Sequence, residues 1–269
     1  MGTNRLSVNL STLFTEAPLA QRFGLASASG FACVEMQYPY ELPAHEVKQR
    51  LDNFHQTVAL VNAPLGSEPQ RRGLAAVIGQ REAFRSAFLH GLEYANTLNC
   101  GLLHVLSGVV DLVDHDAAQA IWLDNMVWAA GEAGSAGVTT VVEALNPVDV
   151  PGYFIRSLAH AASLIEQVES PYLKLLFDTY HCAMSGADCA AELSRWIPRV
   201  GHVQIADCPG RAEPGTGAID WARLFDQLHQ SGYCGAIGLE FRNQQSVPRC
   251  FDAVNHFVDH SRLRVGASS

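Results

Sequence analysis

Leu175-Leu176-Phe177-Asp178 is a short apolar run that stops at a carboxylate, and the second half of the chain repeats the arrangement. Val141-Val142-Glu143, His202-Val203-Gln204 and Ile237-Gly238-Leu239-Glu240 have the same form. Successive members lie about 30 residues apart, the length of one strand, one helix and two short loops. A side chain with ligand oxygens therefore recurs once per βα unit, each time at the carboxyl end of a strand. In a parallel barrel that end is where active sites are built. Three carboxylates and an amide gathered at one mouth would repel each other unless a cation sat between them. Oxygen-only ligands favour a hard ion, Mg2+ or Mn2+, over zinc or copper.

Working outward from these runs, the chain reads as eight apolar strands alternating with helical patterns. The strands are expected at Leu6–Leu10, Cys33–Met36, Val58–Asn62, Leu102–Leu106, Thr139–Glu143, Lys174–Asp178, His202–Ile205 and Ile237–Glu240. Helical spacing marks Leu19-Phe23-Ala26, Phe84-Phe88-Leu92-Ala95, Leu158-Ala162-Ile165 and Trp221-Leu224-Leu228 between them. Gly30, Gly137 and Gly232 fit the position just past a helix end, and Pro171 and Pro198 punctuate other helix-to-strand turns. Alternation of this kind implies a parallel sheet. The 269 residues suit the roughly 250 of one closed (β/α)8 TIM barrel. No linker divides the chain, so a single catalytic domain over residues 1–269 is expected. An open doubly wound sheet would carry a glycine-rich phosphate loop after its first strand. Asn9-Leu10-Ser11-Thr12-Leu13 is not one.

Composition narrows the function. The chain is 48% hydrophobic and 17% charged, with a net charge of −9. Nucleic-acid binding needs a basic footprint, and Arg71-Arg72 is the only adjacent basic pair. No apolar stretch reaches the twenty residues of a membrane span, and the first residues lack the pattern of a secretory signal. A cytoplasmic protein is expected. The seven cysteines, 33, 100, 182, 189, 208, 234 and 250, contain no C-x-x-C pair and read as small buried hydrophobes. A homo-oligomer is compatible with the chain.

Within the site, Glu143 and Glu240 come from the fifth and eighth strands, across much of the mouth from one another. Two carboxylates so placed could take a proton from one carbon and return one to its neighbour. Asp178 and Gln204 complete the expected metal ligands, Glu143, Asp178, Gln204 and Glu240. Any one of these acids, taken alone, also reads as a helix cap or a surface charge. His181, three residues past Asp178, could donate to a substrate oxygen or cap the following helix. His202, two before Gln204 on the same face and one layer deeper, is better suited to supporting the ligands from behind or to core packing. Arg211, in Pro209-Gly210-Arg211-Ala212-Glu213-Pro214-Gly215, suits bidentate binding of a substrate carboxylate, although a surface loop arginine is the plainer alternative. The segments from Ala63 to Gly79 and from Leu145 to Gly152 exceed a minimal βα turn and are expected to close over the mouth.

The run Gly201-His202-Val203-Gln204-Ile205-Ala206-Asp207, continuing through Arg211 to Glu213-Pro214-Gly215-Thr216-Gly217, closely resembles the hydroxypyruvate isomerase family. Val8-Asn9-Leu10-Ser11, Phe177-Asp178-Thr179-Tyr180-His181, and Glu143-Ala144-Leu145-Asn146 with Asp149-Val150-Pro151-Gly152 share the resemblance, which covers essentially the whole chain. The family belongs to the xylose-isomerase-like TIM barrels. The resemblance implies an aldose–ketose type isomerisation of hydroxypyruvate to 2-hydroxy-3-oxopropanoate (tartronate semialdehyde). It also implies Glu143 and Glu240 as the acid/base pair, a divalent ion on the four ligands, and His181 and Arg211 on substrate oxygens. Asn62 and Arg72 match the family in a loop that shapes the substrate pocket. That loop departs from the family pattern N-L-P-x-G-D-W at Asn62-Ala63-Pro64-Leu65-Gly66-Ser67-Glu68, which leaves the exact substrate open.

Four functions compete: an isomerase of a small hydroxy-oxo acid, including 2-oxo-tetronates; a ketose 3-epimerase; a lyase or dehydratase on the same barrel; and a non-catalytic sugar-acid binding protein. Gln204, where the epimerases usually carry histidine, favours the first. Retention of all four ligands disfavours the last.

Overall fold

The computed structural model describes residues 4–67, 72–242 and 263–264. Eight parallel strands close into a barrel in chain order. They are β1 (Asn4–Asn9), β2 (Cys33–Met36), β3 (Thr57–Asn62), β4 (Leu102–His104), β5 (Thr139–Glu143), β6 (Leu173–Asp178), β7 (Val200–Ile205) and β8 (Ile237–Leu239). β1 pairs with both β2 and β8, which closes the sheet. A two-residue strand, β9 (Leu263–Arg264), runs parallel along the start of β1. The barrel expected from the sequence is therefore the fold. The single domain expected over residues 1–269 includes residues 1–3, 68–71, 243–262 and 265–269, which lie outside those described, as does Cys250.

Around the barrel lie α1 (Leu19–Ala28), α2 (Ala44–Asn53), α3 (Arg81–Thr97), α4 (His115–Ser135), α5 (Leu158–Val168), α6 (Thr179–Met184), α7 (Cys189–Trp196) and α8 (Trp221–Gln230). Each long helix turns an apolar stripe inward. In α8 it is Trp221, Leu224, Phe225 and Leu228; in α4 it runs from Ala118 through Trp122 and Met126 to Ala133. Gly30, Gly137 and Gly232 have φ of 87, 70 and 69° and follow the ends of α1, α4 and α8 as the sequence indicated. Several helices start on a side-chain cap, with Ser157, Asp188 and Asp220 accepting N–H groups of the first turn.

Three strands end earlier than expected. β1 stops at Asn9 rather than Leu10, although Leu10 N still donates to Glu35 O. β4 stops at His104, although Val105 N still donates to Val141 O, because the chain then turns to bridge Ser107 to Gly73. β8 stops at Leu239, with Glu240 N donating to Ile205 O just beyond.

Side chains alternate across each strand, so the register sorts the barrel interior. Below the mouth, Leu60, Val141 and Leu176, with Leu102, fill one side with hydrocarbon. On the other side stand Ser7, Glu35, His202 and Gly238. One half of the barrel floor is apolar and the other is polar.

The described later part of the long segment after β3, from residue 72, packs against its neighbours. Leu74 to Val77 are buried, Ala76 N donates to Ser107 O, and Asn125 Nδ2 donates to Ala75 O. Gly73 permits this approach: its φ is +111°, and a Cβ there would sit 2.1 Å from Leu106 O. Gly73→Ala is expected to cost about 2 kcal/mol or more of stability, read as a lower urea midpoint with an unchanged slope.

Candidate active site

The inner-face alternation that fills the floor also delivers polar groups to the mouth. Glu143 ends β5, Asp178 ends β6, Gln204 is the penultimate residue of β7 and Glu240 follows β8. All four are buried. A cavity of about 880 Å³ opens above them. Glu143, Glu240, His181, Arg211, Asn62 and Arg72 all line it; Asp178 and Gln204 are not in its wall. Both long loops reach the cavity, one through Arg72 and the other through Leu145, Asp149 and Val150.

Arg211 joins the carboxylates. Its Nη2 lies 2.7 Å from Asp178 Oδ2 and 3.1 Å from Glu240 Oε1, and its Nε donates to Glu240 O at 3.2 Å. The guanidinium also stacks over Tyr180, 5.0 Å from the ring centre. Asp207 holds the loop carrying Arg211 by accepting from Cys208 N, Gly215 N and Trp221 Nε1. Asp178 takes the helix-cap reading of a strand-end acid and an ion pair besides. Its Oδ1 accepts Tyr180 N at 2.8 Å and caps α6, while Oδ2 faces Arg211.

Charge is crowded here. Burial, with Asp178 and Glu240 adding to it, pushes the Glu143 carboxyl well above its usual range. Burial raises Glu240 to about 8 against the pull of Arg211. Burial opposes the charge on Arg211, yet Asp178, Glu240 and Glu143 more than offset this and hold it cationic. His104 and His181 are pushed down by burial, to about 3 and about 4, and both are neutral at pH 7.

Asn146 N and Nδ2 approach His181 Nδ1 at 3.1 and 2.8 Å. A neutral imidazole has one acceptor nitrogen, and a backbone N–H cannot be reversed. Nδ1 therefore accepts and Nε2 carries the proton toward the cavity. The approach of Arg211 Nη1 to Nε2, at 2.9 Å, is then a contact of two donors rather than a hydrogen bond.

Glu143 and Asp178 bring carboxylate oxygens, beside a ring nitrogen of His181, within 4.8 Å of one another, a grouping that could hold a divalent cation through its two carboxylates. Glu143 Oε1 is buried and accepts no hydrogen bond from the described residues. Of the other expected ligands, Glu240 accepts from Gln37 Nε2, and Gln204 Nε2 donates to Glu35 Oε1 at 2.8 Å. His202 is fully buried and sits 2.8 Å from Glu35 Oε2, the core role read for it.

Sequence reasoning passed over Glu35, Gln37, Tyr38, His104 and Asn146. His104 lines the cavity 3.6 Å from Glu143 Oε2. It ends β4 as Glu143 ends β5, but in the sequence its apolar run continues through Val105 and Leu106, which hid the strand end. Glu35 was visible as an acid inside the apolar run Cys33–Met36. Asn146 and Gln37 lie in loops and carry no such mark. Because Arg211 is the counter-charge to three buried acids, Arg211→Met is expected to lower stability by about 3–5 kcal/mol, measured by urea unfolding in the presence of chelator.

Residues 23–257 match the model of the xylose isomerase-like TIM barrel family. A 2-oxo-tetronate isomerase of Cupriavidus necator is 38% identical over 240 residues, covering 88% of this chain and 92% of that protein. The hydroxypyruvate isomerase of Escherichia coli is 32% identical over 245 residues, covering 90% and 95%. A crystal structure described as an AP endonuclease, family 2, from Brucella melitensis superimposes with a TM-score of 0.91 at 33% identity, covering 96% of this chain and all of that one. Matched along nearly its whole length by such relatives, the chain belongs to the hydroxypyruvate isomerase family of the xylose isomerase-like TIM barrels.

Proposed function

We propose that this chain is a divalent-metal-dependent isomerase of a small 2-oxo-3-hydroxy acid, hydroxypyruvate or a 2-oxo-tetronate. Family membership makes it an isomerase of the aldose–ketose type. The observation that carries the mechanism is the pair of buried glutamates, Glu143 and Glu240, that line one cavity from the fifth and eighth strands. Carboxylates placed on two sides of a bound substrate can take a proton from one carbon and return one to its neighbour.

Isomerisation of hydroxypyruvate removes a proton from C3, adds one to C2, and moves the hydroxyl proton from the C3 oxygen to the C2 oxygen. In this reading one glutamate takes the C3 proton to form the enediol, and the other face of the pocket supplies the proton to C2. His181, with Nε2–H turned to the cavity, holds a substrate oxygen. Glu143, Asp178, Gln204 and Glu240 would hold Mg2+ or Mn2+, which when bound polarises the substrate oxygens. The orphaned Glu143 Oε1 supports that ligand set.

Arginine reads the substrate's carboxylate. Arg211 has two protein carboxylates as partners, whereas Arg72 lines the cavity, is exposed, and makes no ion pair with any described residue. Arg72 thus supplies the open positive charge and Arg211 the second one, beside the glutamates. The net charge of −9 does not favour a nucleic-acid substrate.

The test is turnover in D2O, with Mn2+ and with chelator, of hydroxypyruvate, a 2-oxo-tetronate and a neutral ketose. Deuterium should enter the acid at the carbon that loses its proton, and chelation should abolish exchange. A protein that epimerises the ketose and leaves the acids untouched would replace this reading with the epimerase one. Glu143→Gln and Glu240→Gln should each lower kcat by about 100-fold or more with the circular dichroism spectrum retained. Arg72→Ala should raise KM for the acid by about 10-fold, the loss of one charge-assisted contact, and leave kcat nearly unchanged.

A further inference from the structure

We infer that Glu35 is a positioning residue for Gln204, fixing its amide so that the oxygen is turned toward the carboxylate cluster. The inference rests on the metal-dependent reading above. Glu35 stands on the inner face of β2, wholly buried, level with Asn9 and Leu60 in the ladders. An ionised carboxylate offers only acceptors, and the barrel surrounds this one with donors. Asn9 Nδ2 and Gln204 Nε2 donate to its Oε1 at 3.0 and 2.8 Å, and His202 Nε2 lies 2.8 Å from its Oε2.

Space for the carboxylate is also built in. Gly238 lies on the inner face of β8, and a Cβ there would fall 2.3 Å from Glu35 Oε2. Any other residue at 238 would drive the carboxylate off its donors. The donor set and the missing side chain are separate features, and both serve an acid at this point of the barrel.

The consequence falls on Gln204. An amide presents nitrogen on one side and oxygen on the other, and as a metal ligand only the oxygen serves. With Nε2 bound to Glu35, the oxygen is turned away from it, and no described residue donates to that oxygen. The reversed amide would set two oxygens against each other at Glu35. The same contact accounts for an amide at position 204 where the neighbouring strand ends carry acids: a glutamate there would press a second buried carboxylate onto Glu35.

The experiment compares Mn2+ binding, followed by the EPR signal of free Mn2+, with thermal melting in chelator. Glu35→Gln should weaken Mn2+ binding by about 10–100-fold, the loss expected when a ligand's orienting partner is removed. The reciprocal exchange, Glu35→Gln with Gln204→Glu, keeps one buried carboxylate and one amide in contact and leaves an oxygen facing the cluster. It should bind within about 10-fold of the unaltered protein. A residue that merely fills the barrel would lower the melting temperature and leave the Mn2+ dissociation constant unmoved. Glu35→Gln binding within about threefold of the unaltered protein therefore overturns the inference. Should that variant not fold, an exchanged pair that folds and does not bind Mn2+ overturns it instead. If the unaltered protein itself binds no Mn2+, the metal-dependent reading fails, a separate result from either.

Discussion

Burying Glu143, Asp178 and Glu240 at one end of a barrel is the constraint that organises the rest of the molecule. Each carboxylate loses most of its water, and each raises the others' cost of ionisation. The surroundings answer with positive charge and donors at fixed points. Arg211 spans Asp178 and Glu240, Gln37 donates to Glu240, and the first turn of α6 donates to Asp178. Of these three, Glu143 keeps a buried oxygen without a donor among the described residues.

Rigid support extends down from this mouth. A second polar layer, Glu35 with Asn9, His202 and Gln204, lies directly below and is closed by donors on both carboxylate oxygens. The remaining half of the interior is hydrocarbon, Leu60, Val141 and Leu176. Such a division lets one side of the barrel hold its shape by packing while the other holds side-chain orientations by hydrogen bonds. Loops complete the site by the same means: Asp207 gathers the turn that carries Arg211, and Asn146 fixes the tautomer of His181. Among the described residues no helix is long and apolar enough to cross a membrane.

Much of this was legible in the chain because period and interval are local properties. Apolar runs ending in an oxygen-bearing side chain, repeated once per βα unit, gave the barrel, the order of its strands and the end at which the site lies. Glu143, Asp178 and Glu240 were found that way, His181 and Arg211 from the loops that follow the sixth and seventh strands, and the five do meet. Strand ends at Asn9, His104 and Leu239 were misplaced by one or two residues, since the ladder continues there without regular geometry. His104 was overlooked because it carries no oxygen and its apolar run continues through Val105 and Leu106.

What the linear order could not contain is which polar groups satisfy one another. Glu35 and Gln204 are 169 positions apart, and nothing in either segment marks the contact; only closure of β1, β2, β7 and β8 creates it. Nor does a lone loop arginine reveal whether its charge will be used by substrate or by the protein's own acids. Composition and periodicity determined the barrel and the kind of group at its mouth, because burial and strand alternation act residue by residue. The direction of each amide, the tautomer of each histidine and the partners of Arg211 were decided by the tertiary structure, because they depend on donors and acceptors that meet only when the sheet closes.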